Sequence, residues 1–228
     1  NLYIVEDACQ SIGADYTFAD GSKAKSGCIG NIGCTSFFPS KNLGCFGDGG
    51  AIFTNDDKLA ERMKMISNHG MKVRYHHEIL GVNSRLDSIQ AAVLNVKLKY
   101  LEDYQKARYD AAQIYTNALK GIEGIETPIE VPYSTHVYHQ YTIKVKDGSR
   151  DSLKEFLASK GIPSMIYYPL PLQDQQAFKG IAKAADTLSV SSILSKQVLS
   201  LPIHTELNAS VQDYIIASII EFYNGKGA

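Results

Sequence analysis

The chain has 228 residues, 44% hydrophobic and 21% charged, a globular composition that excludes disordered, collagen-like and coiled-coil proteins. Its 23 basic residues against 24 acidic ones give a net charge of −1, too little to hold a nucleic-acid backbone. No apolar run reaches the ~20 residues of a membrane span, no signal peptide is recognisable, and the four cysteines contain no CxxC pair, which indicates a reducing cytosol.

Residues 1–122 are predicted to form one domain of short strands, glycine-rich turns and helices. The opening run Leu2–Val5 is typical of a strand buried on both faces, as in a parallel sheet. Because such a strand needs neighbours, we expect it to belong to the latter part of a longer protein. The elements predicted after it are strands at Gly33–Phe38 and Ala51–Thr54, and a helix at Asp57–Ser67 that Asp56 and Asp57 cap and His69-Gly70 closes.

A long apolar stripe predicts one further helix in this domain. Its residues step by three and four, ending at Gly121, with a bend or break near Asp103. The stripe is interpreted as core or dimer packing. Its members are Leu86, Ile89, Val93, Val96, Tyr100, Tyr104, Ala107, Ala111, Ile114 and Ala118.

Residues 123–228 are predicted to form a small α/β domain, joined through a connection at Gly121–Tyr133 that contains Pro128 and Pro132. Strands alternate with helices beyond this connection. The predicted elements are strands at His139–Val145 and Ser164–Tyr168, and helices at Ser149–Lys160, at Val190–Leu199 and after Ser210.

Two residues of the first domain are candidates for chemistry. Asp7 directly follows the first strand, and ligands of open α/β sheets bind where strands end, although a helix cap or a salt bridge is the more common role of a lone aspartate. Lys41 follows a strand that ends at Ser36-Phe37-Phe38 and a turn at Pro39. A lysine in a dry cleft favours its neutral, nucleophilic form, whereas a solvated surface cation is the alternative.

Four motifs, in this order, resemble the nucleotide-sugar aminotransferases of the DegT/DnrJ type. The resemblance continues through Tyr167–Leu172 and Leu201-Pro202. It implies an α/β fold, namely the later part of a PLP-transferase large domain of the aspartate aminotransferase type (fold type I), plus a small C-terminal α/β domain. The motifs are Glu6-Asp7-Ala8-Cys9-Gln10, Ser36-Phe37-Phe38-Pro39-Ser40-Lys41-Asn42-Leu43-Gly44, Gly47-Asp48-Gly49-Gly50 and Gly81-Val82-Asn83-Ser84-Arg85-Leu86-Asp87.

The resemblance implies pyridoxal 5'-phosphate (PLP) as cofactor and assigns a role to residues around it. Lys41 matches the lysine that forms the internal aldimine. Asp7 matches the acid that pairs with the pyridine nitrogen and makes the ring an electron sink. Gln10 matches the residue against the ring and its 3′-oxygen, and Ser36 a hydroxyl that donates to the phosphate.

Two more residues of the last motif match binding roles. Asn83 matches an asparagine that reaches the phosphate of the other subunit, so the resemblance implies a homodimer. Arg85 matches a position available to a carboxylate of the amino donor or to an anionic substrate.

The reaction that the resemblance implies is ping-pong transamination. Glutamate is the expected amino donor, and the acceptor is a keto sugar attached to a nucleotide, with surface polysaccharides as the usual destination. The form Phe-Pro-Ser-Lys-Asn-Leu-Gly resembles the branch that acts on 3-keto sugars.

Three features depart from the family pattern. The segment Thr17–Cys28 is longer than expected and predicts an enlarged hairpin. Gln173 stands where relatives usually have histidine. The N-terminal part of the family, with its phosphate-binding loop and ring-stacking aromatic, has no counterpart in this sequence.

Alternative functions stay open. Related sugar dehydratases have histidine in place of the lysine, which Lys41 argues against, and a non-catalytic PLP- or sugar-nucleotide-binding regulator is the second alternative. We expect no metal site, because neither His76-His77 nor His136 with His139 belongs to a cluster with ligand spacing. Other residues are interpreted as packing: Cys45, Tyr138, Tyr167 and Tyr168.

Overall fold

The computed structural model describes residues 2–181 and 188–225, which fall into two compact units. Unit 1 runs through Lys106 and also includes Glu130–His139, and unit 2 comprises Ala107–Ile129 and the chain from Gln140 onward. The sequence pattern predicts a division of the chain after residue 122. In the structure the division falls inside a helix, and the end of the expected connection returns to unit 1.

Unit 1 combines short strands with helices. Its elements are β1 (Val5–Asp7), β2 (Asp15–Thr17), β3 (Lys23–Lys25), β4 (Ile32–Ser36), β5 (Gly50–Phe53), α1 (Asp57–Ser67), β6 (Met71–Val73), β7 (His76–His77), α2 (Ser88–Lys97), a 3-10 turn (Leu98–Tyr100) and the start of α3 (Leu101–Leu119).

The described sheet of unit 1 has the order β1-β4-β5, with β1 parallel to β4 and β5 antiparallel to it. The prediction of a doubly buried strand at Leu2–Val5 is wrong in position and in burial. The strand begins at Val5, and Leu2 and Val5 are 93% and 64% exposed. The reason is that no element of the described chain covers the Leu2 and Val5 side chains, and β1 pairs there with β4 alone.

Helix α1 has the predicted bounds, Asp57–Ser67. The Asp56 carboxylate caps its start by accepting hydrogen bonds from the backbone N–H groups of Lys58 and Leu59. After the helix, His69 and Gly70 both take positive φ angles, 59° and 74°, and so turn the chain away. The predicted hairpin at Thr17–Cys28 is also present, as the antiparallel pair β2 and β3.

The predicted long helix is interrupted earlier than expected, by the 3-10 turn at Leu98–Tyr100 rather than near Asp103. The stripe does not become one buried face: Ile89 and Val96 are 71% and 60% exposed. A 3-10 turn has three residues per turn instead of 3.6, so it rotates the buried face of the helix that follows. The buried positions of these helices are Leu94, Arg108, Ala111, Ala112, Tyr115 and Leu119.

Unit 2 contains the rest of α3 and further strands and helices. They are β8 (Ile125–Glu126), β9 (Tyr141–Val145), α4 (Arg150–Ser159), 3-10 turns at Leu172–Asp174 and Gln176–Phe178, α5 (Ser189–Gln197), β10 (Val198–Leu201) and α6 (Ala209–Gly225). The three strands form a small antiparallel sheet ordered β10-β9-β8.

The core of unit 2 follows the alternation of β9, whose Tyr141, Ile143 and Val145 are fully buried. The Tyr115 ring stacks on the Tyr141 ring with centroids 5.1 Å apart, and burial raises the pKa of Tyr141 to about 12. The Tyr115 hydroxyl is satisfied by donating to the Pro202 carbonyl at 2.9 Å.

Two predictions for unit 2 need correction. Ser164–Tyr168 is not a strand, since in the described chain it makes a single bridge, between Met165 and Ser200. Pro163 and Pro169 flank it and have no N–H to donate to a ladder. The predicted helix Val190–Leu199 ends at Gln197, and Val198 starts β10.

None of the helices in the described ranges combines the length and the apolar character needed to cross a bilayer. The four cysteines, Cys9, Cys28, Cys34 and Cys45, are free thiols.

Candidate active site

The site starts at the carboxyl ends of β1 and β4. Asp7 is the last residue of β1 and pairs in register with Cys34, and β4 ends two residues later at Ser36. Because the two strands are parallel, both ends lie at the same edge of the sheet. The sequence motif therefore brings an acid and a hydroxyl together at this edge.

Lys41 lies on the turn that leaves β4. The turn is closed by the Lys41 N–H, which donates to the Phe38 carbonyl at 2.9 Å, and by the Cys45 N–H, which donates to the Phe37 carbonyl at 2.8 Å. Its far end is buried in a core cluster that contains Phe37, Leu43, Cys45 and Leu94. The half-buried Lys41 side chain is thus carried by a turn fixed at both ends.

Gly44 is required by the tightness of this turn. A Cβ at this position would stand 2.4 Å from the Pro39 carbonyl oxygen and 2.8 Å from that of Phe38. No side chain tolerates such contacts, so the turn needs glycine here.

Asp7 and Lys41 lie within electrostatic reach of each other. The Cys9 thiol and the Cys9 backbone N–H both donate to the Asp7 carboxylate, and with the Lys41 charge they hold the pKa of Asp7 below its ordinary value. The N–H bond measures 3.1 Å. The edge therefore presents an ionised carboxylate within the electrostatic influence of the Lys41 side chain.

The Cys9 thiol has two acceptors within reach, the Asp7 carboxylate and the Cys34 carbonyl at 3.9 Å. Burial and the nearby Asp7 charge raise the pKa of this thiol. Cys9 therefore remains a protonated hydrogen-bond donor rather than a nucleophile.

Ser36 and Gln10 lie at or soon after the ends of the same two strands. The Ser36 hydroxyl accepts a hydrogen bond from the Phe38 N–H at 3.2 Å, which leaves its own proton available for donation. Gln10 follows β1 by three residues, with an exposed side chain that makes no hydrogen bond to another residue of the described ranges.

Asn83 and Arg85 lie elsewhere in unit 1, at the end of α1. Asn83 forms an isolated bridge with Asn68, and the Arg85 guanidinium donates to the Asn68 side-chain oxygen at 3.1 Å. Within the described part of the chain, no hydrogen bond or ion pair joins either residue to Asp7 or Lys41. Their predicted roles remain predictions.

A broad depression of about 1160 Å³ runs along β5. Arg85 contributes to its lining, together with α1 residues such as Met63, but Asp7 and Lys41 do not. The depression is therefore distinct from the pair of charges at the sheet edge.

Sequence reasoning missed two residues that support the site. The Glu6 carboxylate accepts hydrogen bonds from the backbone N–H groups of Gly27, Ile29 and Gly30 and so anchors the loop before β4. Asn42, next to Lys41, is buried and donates to the Val137 carbonyl. Both residues lie within the quoted motifs, but their partners are distant in sequence and carry no signal of their own.

The other residues singled out in the sequence are explained by packing and hydrogen bonds within the protein. Cys45 packs in the core cluster as predicted, and Tyr138 is buried and donates to Glu130. Gln173 donates to the Ser192 hydroxyl at 3.5 Å within unit 2. Across the ranges that the structure describes, no group of three or more histidine, cysteine or acidic side chains is arranged to hold a metal ion.

Two relatives resemble the chain over nearly its whole length. The chain is 44% identical to the "Pleiotropic regulatory protein" of Geobacillus stearothermophilus over 97% of the chain and 58% of that protein. It is 43% identical to a UDP-2-acetamido-2-deoxy-3-oxo-D-glucuronate aminotransferase of Pseudomonas aeruginosa, over 95% of the chain and 57% of that protein.

Solved structures share the fold. The crystal structure of Streptomyces venezuelae DesV in complex with a ketimine intermediate superposes with a TM-score of 0.90 at 39% identity, over 97% of this chain and 58% of that one. The expected fold, the later part of a fold type I large domain with a small C-terminal domain, is confirmed by this likeness.

The chain spans a little under three fifths of the length of these relatives. The sequence pattern of the DegT/DnrJ/EryC1/StrS aminotransferase family matches residues 1–220, nearly the whole chain. The chain therefore belongs to the DegT/DnrJ/EryC1/StrS aminotransferase family.

Proposed function

We propose that the protein is a PLP-dependent aminotransferase that transfers an amino group, with glutamate as donor, to a keto sugar attached to a nucleotide. The observation that carries the proposal is that Asp7 and the turn with Lys41 follow the carboxyl ends of two parallel paired strands, where the Lys41 charge helps to lower the pKa of Asp7. The 3-keto position is the proposed site of amination, in keeping with the name of the Pseudomonas aeruginosa relative. Surface-polysaccharide building blocks are the proposed products.

The groups at the sheet edge fit PLP. A protonated ring nitrogen needs an anionic partner, an aldehyde needs an amine, and a phosphate needs donors. Asp7, Lys41 and Ser36 are of these three kinds, and the lowered pKa of Asp7 supports a permanently charged partner. When bound, PLP supplies the electron sink for the electrons released at the Cα of the amino donor.

Each residue then has a proposed task. The Lys41 Nζ would hold the cofactor and, once free, would act as general base and acid by taking the proton from the donor's Cα and giving it to the C4′ carbon of the cofactor. Asp7 keeps the ring nitrogen protonated, Gln10 lies against the ring, and Ser36 donates to the phosphate.

The proposal also includes a partner subunit and a cellular compartment. Asn83 is proposed to reach the phosphate of a second copy in a homodimer, and Arg85 to bind a carboxylate or another anionic group. The free thiols Cys9, Cys28, Cys34 and Cys45 support a reducing cytosol.

A PLP-binding regulator is the second candidate, because one relative, at 44% identity, is named a regulatory protein. The two candidates differ in their response to an amino donor. The absorbance band of the PLP-loaded protein shifts on addition of glutamate if the protein is an aminotransferase, and is indifferent to every amino donor if it only binds.

Turnover tests the proposal directly. The protein at its full natural length is incubated with PLP, glutamate and candidate keto-sugar nucleotides, and the aminated product is detected by mass. Lys41→Ala removes the amine without removing core volume, so we expect it to abolish product formation, while Lys58→Ala at an exposed position of α1 leaves it unchanged. Turnover retained by Lys41→Ala would refute the proposal.

A further inference from the structure

A segment from later in the chain packs beside the turn that carries Lys41. This segment, Glu130–His139, belongs to unit 1 and is called the strap below. It is tied to β2 by hydrogen bonds from the Thr17 N–H to the Tyr133 carbonyl at 2.7 Å and from the Thr135 N–H to the Asp15 carbonyl at 2.9 Å. The strap is therefore a fixed part of unit 1.

Asn42 joins the Lys41 turn to the strap. Its side-chain Nδ2 donates to the Val137 carbonyl at 2.9 Å, between residues 95 positions apart. The Asn42 side chain is 6% exposed, so the bond is shielded from water. Lys41 is the adjacent residue, so this bond acts on the backbone that directs the Lys41 side chain.

The Asn42 amide is not the side chain that stability alone would favour at this buried position. The Asn42 Oδ1 is buried without a hydrogen-bond partner in the described ranges. A buried acceptor left unpaired loses its hydration without compensation, which an apolar side chain would avoid. Leu43 and Cys45 already anchor the far end of the turn in the core cluster. The presence of an amide here is therefore explained by the hydrogen bond that the Asn42 Nδ2 donates to the Val137 carbonyl.

We propose that Asn42 is a positioning residue that, through the Val137 carbonyl, sets the direction in which Lys41 presents its amine toward Asp7. The inference rests on the proposed function for its catalytic meaning. Asn42 touches no reacting atom and acts through the backbone of its neighbour.

The first test reads the Asp7–Lys41 geometry without any cofactor. NMR titrations that follow the side-chain carboxyl carbons compare Asn42→Ala and Asn42→Ser with the unaltered chain. Neither substitution changes the net charge. Two variants are used because the test needs only one of them to fold. The groups that face Asp7 are Cys9 and Lys41. If the Lys41 amine moves away, the pKa of Asp7 rises toward its ordinary value. Glu126, whose pKa the side chains of Lys144 and Lys146 lower, serves as the internal control and stays unchanged.

The second test measures how readily the Lys41 amine condenses with PLP. PLP is added, borohydride fixes whatever has condensed with a lysine, and peptide masses report the yield at Lys41. We expect the yield in both Asn42 variants to fall about tenfold, the effect of losing one buried hydrogen bond. Asn95→Ala, an exposed asparagine of α2, is the matched control and keeps the yield.

The outcomes separate the two proposals. An unchanged Asp7 titration in the folded Asn42 variants overturns the positioning role. A raised pKa of Asp7 with unchanged Glu126 supports it. If the unaltered chain traps no PLP at Lys41, the proposed function fails, and the Asp7 titration still decides the role of Asn42.

Discussion

The two adjacent acidic side chains at the end of β1, Glu6 and Asp7, have different partners. Asp7 accepts hydrogen bonds from Cys9 and feels the Lys41 charge, whereas its neighbour Glu6 binds the N–H groups of Gly27, Ile29 and Gly30. Partial burial by itself raises the pKa of Glu6, but these three hydrogen bonds outweigh it and lower the pKa below its ordinary value. Adjacent residues thus have separate tasks, one toward the site and one toward the loop before β4.

Glu6→Gln tests this anchor. A lowered folded pKa contributes stability above the ordinary value of 4.5, and this contribution is lost as pH falls through the folded pKa. We expect Glu6→Gln to destabilise the chain by about 1–3 kcal/mol at pH 7. The difference from the unaltered chain shrinks as the pH falls below 4.5. Urea unfolding at several pH values measures it.

The control for this prediction is Glu155→Gln, at an exposed position of α4. It is expected to change the free energy of unfolding by no more than about 0.5 kcal/mol. Equal effects of the two substitutions at pH 7 would contradict the anchoring role of Glu6.

At the scale of elements, local signals predicted α1 to the residue, because its cap Asp56 and the positive-φ pair His69-Gly70 are encoded within the segment itself. The two motifs that contain Asp7 and Lys41 were likewise readable. The contact between Asn42 and Val137 was not, because nothing in a sequence couples residues 95 positions apart. The same holds for the 3-10 turn at Leu98–Tyr100, since the surrounding packing decides where a helix is overwound.

Gly44→Ala tests the rigidity of the Lys41 turn. The added Cβ collides with the carbonyl oxygens of Pro39 and Phe38, so the turn must open. Overpacking of this kind costs about 1–3 kcal/mol, and we expect the borohydride-trapped yield at Lys41 to fall as well. Thermal unfolding and peptide mass measure the two effects. Gly225→Ala, where a Cβ meets open space, should change neither. Wild-type trapping and stability in Gly44→Ala would show that the turn is not rigid.

For the whole molecule, the two units have separate cores. The core of unit 2 is dominated by fully buried side chains, such as Ile143, Leu153 and Leu157. Unit 1 has a smaller described cluster around Phe37 and Leu43. The pattern of strands and helices along the sequence predicted two parts, the second a small α/β domain. It did not predict that the strap returns to unit 1, because that return depends on contacts between distant segments.

Leu153→Ala measures how much the core of unit 2 contributes to the free energy of unfolding. Leu153 is fully buried, and truncation of such a leucine costs about 2–5 kcal/mol. Leu80→Ala is the matched control, since Leu80 is 98% exposed and its loss should cost less than about 0.5 kcal/mol. Urea unfolding of the two variants checks the difference. Similar free energies of unfolding would contradict the assigned core.

The central claim is that the Lys41 amine and the Asp7 carboxylate bind one molecule of PLP. Borohydride reduction of the PLP-treated protein, followed by peptide mass mapping, tests it most directly. The account predicts that the cofactor mass appears on the peptide containing Lys41, and that Asp7→Ala lowers this yield about tenfold, the effect of losing a charged hydrogen-bond partner. Cofactor spread over exposed lysines such as Lys58, or an equal yield in Asp7→Ala, would contradict it.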